Sequence, residues 1–161
     1  MVKTISERLK FSNSTSETLS NLVRYHLRPF QLSNNYAPIT ARALFRFFRD
    51  LNDHTPGLLM LCLADSHATL GPKVTKEDLD KNEKLILFLF DEYKKYVERE
   101  EEKASKPKLI DGIEIMEITG IKPSKKLGDL IKDLDEAISL GEVKTKEEAV
   151  SWVLEKSNLL N

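Results

Sequence analysis

Apolar positions recur at three- and four-residue spacing over most of the chain, and that period predicts helices. Leu19, Leu22, Val23 and His26 follow the candidate caps Ser14, Thr15 and Ser16 and predict a helix over 14–27, stopped by Pro29. After Pro38 and Thr40 a helix is predicted over 41–51. Leu44, Phe47, Phe48 and Leu51 define one of its faces, and Arg42, Arg46 and Arg49, at i, i+4 and i+7, define another. One face meets a core and the other meets charge. Thr55 and Pro56 supply a cap and a first residue for an apolar run over 58–70, broken by Asp65, Ser66 and His67. Its apolarity on nearly all sides predicts a central, buried helix. Thr75 and Asp78 make a capping box for the longest helix, 76–104. There Leu79, Leu85, Ile86, Leu89, Phe90, Tyr93 and Val97 keep the helical period until it dissolves into EREEEK, which is expected to project into solvent.

Residues 105–107 are polar, short and closed by a proline, and they divide the chain into domains 1–104 and 105–161. Beyond them the pattern gives a short helix over 111–118 closed by Gly120, a turn at 121–124, and a helix over 125–140 closed by Gly141. Leu127, Leu130, Ile131, Leu134 and Ile138 point inward from that helix. Thr145 and Glu148 repeat the capping-box logic for a last helix that buries Ala149, Trp152 and Val153. About fifty residues in three short helices are marginal alone, so this unit is expected to lean on the long helix before it. Nothing in the first 103 residues reads as a strand. The predicted fold is all-α: a helical bundle with a small C-terminal three-helix unit.

At 161 residues the chain is too short for a large multidomain enzyme, yet long enough to hide roughly 68–70% of its unfolded surface without disulfides. The single cysteine, Cys62, can form neither an internal bridge nor a thiolate metal cage. No run of eighteen apolar residues exists, and charge occupies the first ten positions where a signal peptide needs an apolar stretch, so a soluble, cytoplasmic protein without membrane partners is expected. The net charge of −1 names no partner, but its distribution does. Residues 1–49 carry eight bases against two acids, a candidate anion-binding face. Residues 77–102 carry ten acids against five bases, and 127–161 eight against four. Between those acidic stretches lie Lys103, Lys106, Lys108, Lys122, Lys125 and Lys126, a second basic cluster.

The tract GIKPSKKLG concentrates the candidate chemistry. Pro123 fixes a turn and Ser124 stands at the N-cap, so the amides of Lys125, Lys126 and Leu127 point out of a helix end that prefers an anion. Lys122, Lys125 and Lys126 add charge, and Gly128 offers no side chain, so a nucleic-acid phosphate could lie close without any base being read. The residues alone equally allow a plain helix start with solvated lysines and a glycine that relieves packing. Together with Arg42, Arg46 and Arg49, these residues (Lys122, Ser124, Lys125, Lys126 and Gly128) are the candidate phosphate-binding set.

The tract from Leu109 to Val150 resembles the C-terminal helical region of bacterial-type CCA-adding and poly(A)-polymerase-like tRNA nucleotidyltransferases. In that family a leucine and a glycine precede a Gly-x-x-Pro-Gly-x-x-Leu-Gly turn, followed by a helix and a Gly-Glu-hydrophobic-x-Thr segment. The matching residues are Leu109, Asp111, Gly112, Gly120, Pro123, Leu127, Gly128, Gly141, Glu142, Thr145 and Ala149, while Ser124 stands where the family has glycine. Upstream, LVRYHLRP and LCLADSHAT resemble the closing portion of the HD-type helical domain found beside some of these enzymes, with His26 near its late histidine and Asp65 at its closing aspartate. The resemblance implies tRNA 3′-end maturation, in which a head domain adds nucleotides and the C-terminal helices hold the tRNA. It implies magnesium and nucleoside triphosphate only for such a head.

Nucleotidyl transfer needs paired carboxylates at a strand edge after a Gly-Ser turn. The only Asp-x-Asp pairs, Asp78 with Asp80 and Asp133 with Asp135, lie in helical pattern, where i and i+2 diverge, and neither follows Gly-Ser. No His-Asp dipeptide completes an HD-type metal set; His26 and Asp65 remain as two vestigial candidates, for which a buried histidine bonded to a carboxylate is the plainer reading. A buried Asp65 would need a partner, with His26, Arg24 and Arg28 as candidates. The expected function is a noncatalytic module that holds tRNA backbone for a separate or missing head subunit, with no cofactor of its own. The alternatives are a helical assembly or regulatory protein without RNA contact, and a residual HD-type metal-dependent phosphohydrolase. An HD-type domain lacking its first ligand helices would uncover Leu32, Tyr36, Phe45 or Phe47, which favours a homo-oligomer.

Overall fold

The computed structural model describes residues 1–32, 38–69, 71 and 73–159; Tyr36 lies outside them. Helices α1 (Val2–Arg8), α2 (Asn13–Tyr25), α3 (Arg28–Leu32), α4 (Ala41–Leu51), α5 (Thr55–Ala68), α6 (Lys76–Ala104), α7 (Gly112–Thr119), α8 (Lys125–Ser139) and α9 (Lys146–Leu159) are joined by turns and one 3-10 turn, Asn52–His54. The described residues contain no strand, and the fold is all-α. Two compact units, Met1–Tyr96 and Val97–Asn161, divide the chain inside α6, upstream of the 105–107 segment.

In the N-terminal unit α4 supplies the centre. Thr40 caps it, its side chain accepting from the Ala43 amide at 3.1 Å. Leu44, Phe47, Phe48 and Leu51 pack with Leu58, Leu59 and Cys62 of α5 and Ile86 and Leu89 of α6. Phe45 and Phe47 are therefore covered, at 5% and 0% exposure, and Leu32 is half-buried, because the α6 aromatics close over α4. Phe45 meets Tyr96 edge-on at 5.9 Å, and Phe48 meets Tyr93 at 5.5 Å.

Several local expectations change. Ser12, not Ser14–Ser16, caps α2, accepting from the Thr15 amide. Pro29 does not only stop a helix. It sits buried in the first turn of α3, where a missing N–H costs nothing. Helix α5 buries Thr55, Leu58, Leu59 and Cys62 but leaves Met60 65% exposed and Asp65 exposed, so it is buried on one side only. An exposed Asp65 is hydrated and needs no buried partner. The Cys62 thiol donates to the His26 carbonyl at 2.8 Å, and burial together with the nearby Asp65 charge pushes its pKa up to about 11, so it packs as a neutral thiol.

The C-terminal unit begins with the last turns of α6. They do not simply project into solvent: the Lys103 ammonium binds Asp135 and donates to Ser139 at 2.9 Å, and Ser139 donates to Glu100 at 3.2 Å. Asp111 and Glu114 form a full capping box on α7. Gly120 ends that helix at φ 70°, a left-handed conformation that favours glycine. Leu127, Leu130, Leu134 and Ala137 of α8 join Ile115 of α7 and Ala149 and Val153 of α9 in one core. Ile131 stays 37% exposed and Trp152 half-buried, with the Lys156 ammonium 5.6 Å above its ring.

Candidate nucleic-acid interface

The turn after α7 is built by short local bonds. Gly120 N–H donates to Met116 O at 2.8 Å, and the Ile121 amide donates to Thr119 Oγ1 at 3.2 Å. Pro123 and Ser124 follow, both exposed, and Ser124 in extended conformation places Oγ 3.3 Å from the Leu127 amide as the N-cap of α8. Leu127, at 7% exposure, pins this first turn to the core. The Lys125 and Lys126 amides have no carbonyl one turn earlier to accept them. Lys122 and Lys125 are exposed, whereas Lys126 is half-buried and engaged with its surroundings. A methyl group at Gly128 would meet nothing within 4 Å, so the space beside the first turn is open. The turn therefore brings Lys122, Ser124, Lys125 and Gly128 to one helix end, with Lys126 turned partly into the protein.

The rest of the predicted lysine cluster behaves differently. Lys103 is bound by Asp135 and Glu100, and Lys106 by Glu102 at 2.6 Å. A groove of about 630 Å3 runs between the end of α6, α7 and α8, with Lys108 and Lys144 on its rim. The Asp-x-Asp residues serve the fold: Asp78 accepts from the Thr75 amide and hydroxyl, and Asp135 holds Lys103.

In the N-terminal unit Arg42 and Arg46 are exposed on α4, and Arg49 is half-buried; each takes part in at least one interaction. Two arginines that sequence reasoning left outside this face belong to it. Arg28 Nη2 donates to Asp50 Oδ2 at 2.9 Å, while Arg49 Nη2 donates to Asp50 Oδ1 at 3.2 Å. Arg24 and Arg28 both lie over the Tyr25 ring, at 5.5 and 5.6 Å. The available signal was the sequence between Glu17 and Asp50, which holds five arginines and no acid. Burial alone would raise the Asp50 carboxyl, but the hydrogen bonds and charges of Arg28 and Arg49 outweigh it and hold the group below its usual value of 3.8. A depressed folded value means that this link stabilises the unit above the unfolded pKa and is lost as pH falls through the folded one. The thermal-midpoint advantage of the wild type over Asp50→Asn is thus expected to shrink below about pH 4, measured by circular dichroism.

His26 and Asp65 do not assemble a metal set. His26 Nδ1 lies 2.7 Å from the Val23 carbonyl at the end of α2, and Asp65 is on the exposed side of α5. His67 reaches Glu83 at 3.9 Å, and His54 is half-buried in the 3-10 turn. Among the described residues no three His, Cys, Asp or Glu side chains gather where they could hold a metal ion. None of the described helices is long and apolar enough to cross a membrane.

The chain is 29% identical over 149 residues to an A-adding tRNA nucleotidyltransferase of Deinococcus radiodurans, and 31% identical over 146 residues to a CC-adding tRNA nucleotidyltransferase of Thermus thermophilus. These alignments take in 92% and 91% of this chain but 31% and 29% of the relatives, so the chain spans about a third of the length of the curated relatives it matches. No protein-family model matches it, and no solved structure does. The likeness to tRNA nucleotidyltransferases suggested by GIKPSKKLG and its flanks thus extends over most of the chain.

Proposed function

Proceeding from that similarity, we propose that this chain is a noncatalytic module that holds tRNA backbone while a nucleotidyltransferase head outside these 161 residues adds nucleotides at the 3′ end. The observation that carries the reading is the exposed start of α8, where Lys122 and Lys125 flank a helix end with open space at Gly128. Phosphate contacts of this kind position a polyanion without reading bases. The descent of the N-terminal unit from an HD-type domain belongs to the same reading. The competing assembly-protein reading draws on the engagement of Arg42, Arg46 and Arg49 within the chain.

The test compares binding of tRNA with that of a same-length duplex at several salt concentrations. Preference for tRNA, with affinity falling steeply as salt rises, is expected; salt-independent binding without preference removes the proposal. Gly128→Ala separates the roles of the α8 start. It should raise helix stability by about 0.5–1 kcal/mol, because nothing obstructs the methyl group and alanine restricts the unfolded chain. It should also weaken tRNA binding if a phosphate approaches that backbone. Stabilisation with unchanged affinity would place the phosphate elsewhere.

A further inference from the structure

Five arginines, Arg24, Arg28, Arg42, Arg46 and Arg49, fall between Glu17 and Asp50 with no acid among them. Like charges on one helix face at i, i+4 each cost a few tenths of a kcal/mol, so this clustering works against helix stability. The side chains are also fixed. Arg24 and Arg28 share the Tyr25 ring, Arg28 also lies 5.7 Å from the buried Phe47 ring, and Arg49 lies 5.7 Å from the buried Phe45 ring. Between them stands one carboxylate whose two oxygens are divided, Oδ2 to Arg28 and Oδ1 to Arg49.

We propose that Asp50 is a positioning residue that sets Arg28 and Arg49, with Arg24 beside them on Tyr25, as a guanidinium ribbon for an RNA phosphodiester backbone. This rests on the tRNA-holding reading and adds to it a second contact surface, in the N-terminal unit. A guanidinium carries five N–H donors in a planar fork, and Asp50 takes one from Arg28 and two from Arg49. Stacking on rings that are themselves core residues removes rotamer freedom before the ligand arrives, so less entropy is lost on binding. Flat, ring-backed forks suit phosphate oxygens along a strand better than they suit the scattered carboxylates of an acidic protein helix.

The sign of one substitution decides the matter. By charge alone, removing a carboxylate beside an anion site tightens binding; if Asp50 orients the forks, removing its charge loosens it. Asp50→Asn is expected to bind tRNA about three- to tenfold more weakly at ~0.15 M salt, with a shallower salt dependence. Arg24→Ala, at an exposed side chain, is expected to bind about fourfold more weakly with an unchanged thermal midpoint. Equal or tighter binding by Asp50→Asn overturns the positioning role. Should that variant fail to fold, Arg24→Ala decides alone, and unchanged affinity there overturns the ribbon. If both variants bind like the wild type while Lys125→Ala weakens binding, only the ribbon fails. If the wild type itself shows no salt-dependent tRNA binding, or prefers an acidic peptide, the tRNA-holding reading fails with it.

Discussion

Phe48→Ala is expected to destabilise the N-terminal unit by about 3–5 kcal/mol, enough to unfold a domain of ordinary stability. Phe48 is 1% exposed and touches three other rings, Phe47 at 5.4 Å, Tyr93 at 5.5 Å and Tyr96 at 5.4 Å. Truncation removes the transfer free energy of the ring and leaves a cavity between α4 and α6 that these neighbours cannot fill without leaving their rotamers. The loss should be read from urea unfolding followed by tyrosine fluorescence. The C-terminal unit has a separate core around Leu134 and Val153, so the chain's lone tryptophan, Trp152, reports on that unit in the same sample. A shift of less than about 1 kcal/mol would mean that the α4–α6 aromatic cluster is not tightly packed.

Lys125→Ala combined with Lys126→Ala is expected to lower tRNA affinity by about ten- to thirtyfold at ~0.15 M salt. Each cation that neutralises a phosphate releases roughly 0.7–0.9 counterion, so two lost contacts should also lower the slope of log affinity against log salt by about 1.4–1.8. Helicity should be unchanged, since Ser124 still caps α8 and Leu127 still anchors it. The single variants should differ. Lys125 is exposed and carries the larger loss, whereas Lys126 is half-buried and already engaged, so Lys126→Ala should cost less binding and more stability. Equal losses from both, or none from either, would contradict this picture.

Where structure follows from neighbours a few positions away, reading the chain was enough. The Thr75–Asp78 box, the Asp111 start of α7, the left-handed Gly120 and the Ser124 cap all depend on bonds spanning at most four residues. Helix α1 escaped because seven residues are too few for a period to register and its N-cap makes no side-chain bond. Its apolar positions also mislead. Ile5 is 40% exposed and Leu9 53%, while Ser6 is buried at 1%, a small side chain on the side packed against α2. The apolar run of α5 likewise could not show which of its sides would be covered.

The sequence by itself determined the helices from α4 onward, the two cores and the lysine-rich turn, because capping, periodicity and left-handed glycines are rules of local geometry. Tertiary structure alone decided which charges meet. Arg28 and Asp50 stand 22 positions apart and Lys103 and Asp135 stand 32 apart, so only the packing of helices could gather one pair into an arginine ribbon and withdraw the other from a lysine cluster. Charge counts along a chain are indifferent to such pairings, and Coulomb attraction, which falls with distance through space, is not.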